Sequence, residues 1–164
     1  MTVLGRIRTI DNKKHWEKLP RINLLKVKLR GANLIGANLM DADLIGAELM
    51  GAELRRANLI GANLTDASLI GAELMGAELM GAYLVNTNLI GAKLKGAGLR
   101  GAKLRYADLM DANLMGVDLT DAKNLKVEQL LKVTTLYGVK GLPLEMEKEL
   151  KEKKPQLFEK PKIR

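Results

Sequence analysis

The chain contains no cysteine, so it can build neither a disulfide framework nor a thiolate metal site. Aromatic residues are 3% of its 164, namely Trp16, Tyr83, Tyr106, Tyr137 and Phe158, whereas hydrophobic residues as a whole are 47%. A core without Phe and Tyr for bulk must be filled by Leu, Ala, Ile, Met and Val. No run of 18 apolar residues exists, which excludes a membrane-spanning helix. Met1 to Pro20 carries charge throughout and has no apolar stretch of signal-peptide length, so a cytoplasmic location is expected. The single His15 and single Ser68 leave little for nucleophilic or acid–base chemistry, and both read as surface residues.

The length fits one domain. Net charge is +8, but unevenly spread: residues 1–21 carry +4, residues 22–121 carry −1 and residues 122–164 carry +5. The basic character belongs to the two ends and not to the body.

What the chain has in abundance is a five-residue repeat. From Leu24 to Leu119 every fifth residue is Leu, twenty times in succession. Ala stands two places before it in sixteen repeats. Gly stands two places after it in twelve, and Asp or Asn in five more (Asp41, Asp66, Asn86, Asp111, Asp121). In an α-helix, at about 100° per residue, successive leucines would diverge by about 140°. In a flat strand an odd period sends them to opposite faces. Bending the chain once per repeat returns every Leu to the inside, and Gly, Asp and Asn tolerate the dihedrals of a bend. Leu and the Ala two places before it share a face, so both point inward and three positions per repeat point outward.

Segments such as Ala32-Asn33-Leu34-Ile35-Gly36 resemble the pentapeptide-repeat family, and the resemblance covers residues 22–121. It implies an all-β solenoid, a right-handed quadrilateral β-helix with four repeats per coil. Twenty repeats then make about five coils, a body roughly 24 Å tall at ~4.8 Å per coil. Ile22 and Val27 replace Ala in the first two repeats and Val117 in the last, where an open end has room for a larger side chain. Thr87 is the interior exception, and its hydroxyl needs a backbone partner. The frame slips after Leu119, where Asn124 takes the next leucine's place, so the solenoid is expected to end at 121.

Residues 1–21, with Ile7, Ile10, Trp16 and Leu19, are the expected N-terminal cap, and residues 122–164 a C-terminal helical cap and basic tail. Val127, Leu130, Leu131, Thr134 and Tyr137 follow helical spacing up to Gly138. A second helix is expected from about Pro143 to Lys153, ended by Pro155, with Leu157 and Phe158 docking back. This tail, from Val127 to Glu159, also resembles the tails of bacterial, notably cyanobacterial, family members.

No catalytic, cofactor-binding or metal-binding residues are expected. With every twentieth residue stacked, Glu53 and Glu73 share a column with Asn33, Lys93 and Asn113. Arg55, Arg56, Lys93 and Lys95 are near enough to neutralise them, which makes the column a solvated charge ladder. The glycines recur as corners and never lead a helix with Lys-Ser/Thr, so there is no phosphate loop. The position after each Leu is more informative. In the family it is commonly Ser, Thr, Arg or Lys; here thirteen of twenty are apolar. Met50, Ile70, Ile90 and Met110 form one apolar column, and Met40, Ile60 and Met80 another. Together they are the candidate partner surface, unless stacking along the ladder is their whole role. Lys93, Lys95, Arg100, Lys103 and Arg105, with no acidic residue between Glu78 and Asp108, form a candidate basic patch.

These features lead to a non-enzymatic scaffold presenting a rigid surface to an unknown protein partner, or to a second copy as a homodimer. A second reading is electrostatic binding of nucleic acid or an anionic membrane through the basic ends. The scarcity of aromatics for stacking bases argues against nucleic acid and would leave salt-sensitive, backbone-only contacts. A third follows from the resemblance, since some members inhibit DNA gyrase by imitating DNA; a repeat body of charge −1 lacks the acidity this needs.

Overall fold

Seventeen parallel bridges join residue n to residue n+20, from Asn23–Asp43 to Lys103–Lys123. Twenty residues are four repeats, so each set of four closes one square coil and the next coil stacks on it. This is a computed structural model, and it describes residues 21–162. The expected N-terminal cap, apart from Arg21, lies outside the described residues, as does His15.

The residue before each Leu faces outward at the middle of a wall. Wall A holds Asn23, Asp43, Asn63, Tyr83, Lys103 and Lys123; wall B holds Lys28, Glu48, Ser68, Asn88 and Asp108. Wall C holds Asn33, Glu53, Glu73, Lys93 and Asn113, and wall D Asn38, Asn58, Glu78, Gly98 and Asp118. At each corner the Leu carbonyl accepts the N–H of the residue three places on, at 2.9–3.1 Å wherever that residue is Ala. The third residue of such a turn needs a positive φ, which glycine adopts without strain. Lys26, Arg56 and Tyr106 occupy that place with full side chains, at φ 52°, 56° and 59°.

A second device tightens the corners. Wherever Asn or Asp precedes the Leu, its Oδ1 accepts the N–H of the residue after the Leu, as Asn58 does for Ile60 at 3.1 Å and Asp118 for Thr120 at 2.9 Å. A side chain that bonds the backbone two residues on pre-forms the turn. The same contact, from the Thr120 side chain first and its N–H second, holds the Asp118 carboxyl below its ordinary pKa.

Leu and Ala fill the tube. From Leu39 to Leu119 every Leu of the array is 2% exposed or less, while Ile22, Val27, Leu29 and Ala32 at the first coil are only partly buried. Thr87 is fully buried, and its hydroxyl donates to the Leu64 carbonyl at 2.8 Å. Its extra bulk stretches the local turn bond to 3.4 Å. Val117 corrects an expectation. It does not sit at an open end but is wholly buried, because more chain stacks on it.

That additional chain revises the C-terminal boundary. The ladder continues past 121 at Lys103–Lys123, then resumes two residues out of step as Asn113–Thr135 and Asp118–Lys140. The helix expected to reach Gly138 is one turn, α1 (Val127–Leu130), which occupies the place of the sixth coil's wall B. Thr134-Thr135-Leu136-Tyr137-Gly138 beyond it is another repeat, with Leu136 fully buried and Gly138 at φ 70°. The four carbonyls left open by the fifth coil are all taken. Ala102, Ala112 and Val117 accept the N–H groups of Lys123, Thr134 and Lys140 at 2.8, 3.0 and 2.9 Å. Where α1 breaks the ladder, the Gln129 side-chain amide donates instead to Ala107 at 2.8 Å and Leu104 at 2.9 Å. Helix α2 (Leu144–Lys153) and a 3-10 turn (Pro155–Phe158) close the end, burying Leu150 and Leu157. An open stack of strand edges is thereby covered.

Candidate interaction surfaces

The walls follow one another as A, B, C, D around the square, and the residue after each Leu stands at the corner that follows. Met50, Ile70, Ile90 and Met110 line the B–C edge. Met40, Ile60 and Met80 line the D–A edge, diagonally opposite. The seven residues expected to make one partner surface therefore stand on two separate edges.

The B–C edge is the longer. Arg30 heads it, with its Nε donating to Glu48 at 2.8 Å, and four apolar side chains follow on successive coils. Met50, Ile70 and Ile90 are half-buried by stacking on each other, and Met110 is 41% exposed. Beside them run Gly51, Gly71 and Gly91, around which a Cβ would meet open space. The apolar strip is thus unscreened on one flank. The D–A edge ends sooner, at Met80, and gives way to Arg100, which lies 3.9 Å from Asp121.

The basic residues from 93 to 105 do not form one patch either. Each repeat turns the chain through one corner, so Lys93 lies on wall C, Lys95 at the C–D edge and Arg100 at the D–A edge. Lys103 lies on wall A and Arg105 at the A–B edge. Lys93 is engaged at 2.9 Å by Glu73, which also lies 3.7 Å from Arg55, itself 3.1 Å from Glu53. The Lys93 hydrogen bond, then its charge, holds the Glu73 carboxyl below its ordinary pKa. Glu53 and Glu73 are thus members of a charge ladder. Among the described residues no group of His, Asp or Glu is arranged to hold a metal ion.

Two hollows among the described residues are candidates for a small molecule. One of about 580 Å³ lies open along the outer face of α2, lined by Leu144, Lys148 and Lys151. A second, of about 70 Å³, lies between the last coil and the cap at Leu119, Leu125 and Met146. Small-molecule sites enclose roughly 300–1,000 Å³ and surround the ligand; the first of these does not enclose and the second is too small.

The model for pentapeptide repeats matches eight copies over residues 22–59, 47–84, 57–96 and 82–121. The chain belongs to the pentapeptide-repeat family. Its solenoid is accordingly a right-handed quadrilateral β-helix. A solved pentapeptide-repeat protein from the Arabidopsis thaliana thylakoid lumen is 30% identical over 71% of this chain and 79% of its own, with a TM-score of 0.46. Rfr23, from the cyanobacterium Cyanothece 51142, is 28% identical over 74% and 88%, with a TM-score of 0.45. HetL, from the cyanobacterium Nostoc sp. strain PCC 7120 and involved in heterocyst differentiation regulation, is 28% identical over 75% and 65%, with a TM-score of 0.36. None of these TM-scores reaches 0.5, so the family assignment rests on the repeats themselves. No curated protein matches the chain. No helix among the described residues is long and apolar enough to cross a membrane.

Proposed function

We propose that this pentapeptide-repeat protein is a non-enzymatic scaffold whose B–C edge is a protein-binding surface, with a second copy of the chain as its simplest occupant. The observation that carries this reading is the unbroken column Met50, Ile70, Ile90, Met110 beside corner glycines. An outward position that is apolar on four successive coils is not explained by the need to keep the tube soluble, which favours polar side chains there. Ladder stacking accounts for part of the burial but not for the 41% exposure of Met110.

Magnitude limits the claim. Four side chains on coils ~4.8 Å apart make a strip about 14 Å long. A standard interface buries roughly 800 Å² on each partner, more than such a strip supplies. Self-association through this edge is therefore weak and concentration-dependent, and a larger protein partner would have to engage walls B and C as well. Light scattering coupled to size exclusion tests the idea. The wild-type mass should rise with concentration, and Met50→Arg with Ile90→Arg should return it to the monomer value; a strict monomer at every concentration would refute self-association. Residence in a bacterial cytoplasm belongs to the same proposal, and fractionation of the source cells tests it.

A further inference from the structure

Wall A and the A–B edge of the last coils carry a surface of a different kind. Parallel bridges Tyr83–Lys103 and Lys103–Lys123 place these residues in one outward column, ~4.8 Å apart. Arg105 and Tyr106 turn the corner beside Lys103, and Lys126 follows Lys123 just before α1. The Lys103 ammonium lies 3.4 Å from the centre of the Tyr83 ring, and the Arg105 guanidinium 4.7 Å from that of Tyr106. Tyr83 is 41% exposed and Tyr106 62%.

The electrostatics are one-sided. Among the described residues, none of Lys103, Arg105, Lys123 and Lys126 has a carboxylate at ion-pair distance. Of the acids closest in sequence, Asp108 accepts the Met110 N–H on wall B and Asp121 faces Arg100, while Glu128, exposed in the first turn of α1, is not at ion-pair distance from Lys126. Arg105 donates to the Tyr106 hydroxyl at 3.1 Å, and its hydrogen bond, its charge and the more distant charge of Lys126 lower that phenol's pKa.

We propose that this wall binds single-stranded nucleic acid, with Lys103, Arg105, Lys123 and Lys126 on phosphates and the rings of Tyr83 and Tyr106 stacking on bases. The chain is poor in aromatics, yet two of its three tyrosines stand on this one basic wall. A water-exposed cation–π pair is weak, so each cation is readily exchanged to a phosphate while its ring takes a base. A flat wall has no element to enter a duplex groove, whereas a single strand offers open base faces. This assignment is independent of the B–C edge.

Fluorescence anisotropy of a labelled 20-nucleotide oligothymidine with the full chain, from 50 to 200 mM salt, tests it. Four phosphate contacts at about 0.7 each give a log–log salt slope of about −2.8, a loss of about 50-fold over that range. Lys103→Gln with Lys123→Gln should halve the slope. Tyr83→Asn with Tyr106→Asn should weaken binding at least about 30-fold, from about 1 kcal/mol or more for each of two stacked bases, and leave the slope unchanged. Both exchanges suit the backbone, since Asn63 precedes Tyr83 in its column and Asn86 holds Tyr106's corner one coil earlier at φ 54°. Lys148→Gln with Lys151→Gln on α2 should change nothing. No binding at 50 mM salt, wild-type binding by the tyrosine variant, an equal loss from the α2 variant, or capture by phosphatidylserine vesicles in place of the oligonucleotide would each overturn the proposal.

Discussion

Gln129→Met isolates one side chain at the capped end of the tube. Methionine keeps the length and apolar stem of glutamine but cannot donate to the Ala107 and Leu104 carbonyls, nor accept the Lys126 N–H at 2.9 Å. Leu104 keeps the Ala107 N–H at 3.1 Å, so it loses one of two partners. Ala107 loses its only partner within the described chain. An acceptor left without a partner in a partly buried place costs about 1–3 kcal/mol, and the exposed Lys126 N–H regains water at little cost. The expected loss is about 2 kcal/mol, which lowers the melting temperature of a domain this size by about 4–8 °C. In a solenoid each layer is held by its neighbours, so hydrogen exchange should quicken first from Lys123 to Lys140. A melting temperature within 1 °C of wild type, with exchange unchanged there, would refute the idea that Gln129 replaces a missing strand.

Three further outcomes are open to direct measurement. Ala77→Val, in the closed part of the tube, should cost about 1–3 kcal/mol in urea unfolding through overpacking; Ala32→Val, partly exposed at the first coil, should cost well under that. Arg56→Gly should stabilise by about 0.5–1 kcal/mol, because relief of a left-handed side chain (about 1–2 kcal/mol) exceeds glycine's entropic penalty (about 0.5–1 kcal/mol); unchanged unfolding would contradict it. Glu73 titrates below its ordinary value in the folded chain, so its contribution to stability is present above the unfolded carboxyl pKa, ~4.3, and is lost as pH falls through the lower folded value. Lys93→Ala should raise the Glu73 pKa in a carboxyl NMR titration, and an unmoved titration would show that Arg55 alone sets it.

The interior was legible in the sequence because Leu recurs every fifth residue without exception, with Ala two before it in sixteen repeats and Gly, Asp or Asn two after it in seventeen. The square section came with the family resemblance, and the n to n+20 bridges bear it out. The extra partial coil lies out of the five-residue period because α1 lengthens that circuit to 22 residues, although Leu136 and Gly138 keep the repeat's spacing of Leu and corner glycine. Asn and Asp before Leu were a further signal, since each marks a corner clamped by its own side chain. The surfaces were harder to read. Neighbours in sequence turn a corner every five residues, so Lys93 to Arg105 wraps around the tube. Tyr83, Lys103 and Lys123, twenty residues apart, meet in one column.

The proposed B–C edge is most directly tested by methyl NMR of methionine-labelled protein across a concentration series. Met50 and Met110 should shift or broaden as concentration rises, while Met40 and Met80 on the opposite edge stay fixed. Fixed Met50 and Met110 signals, or equal shifts on both edges, would contradict the account.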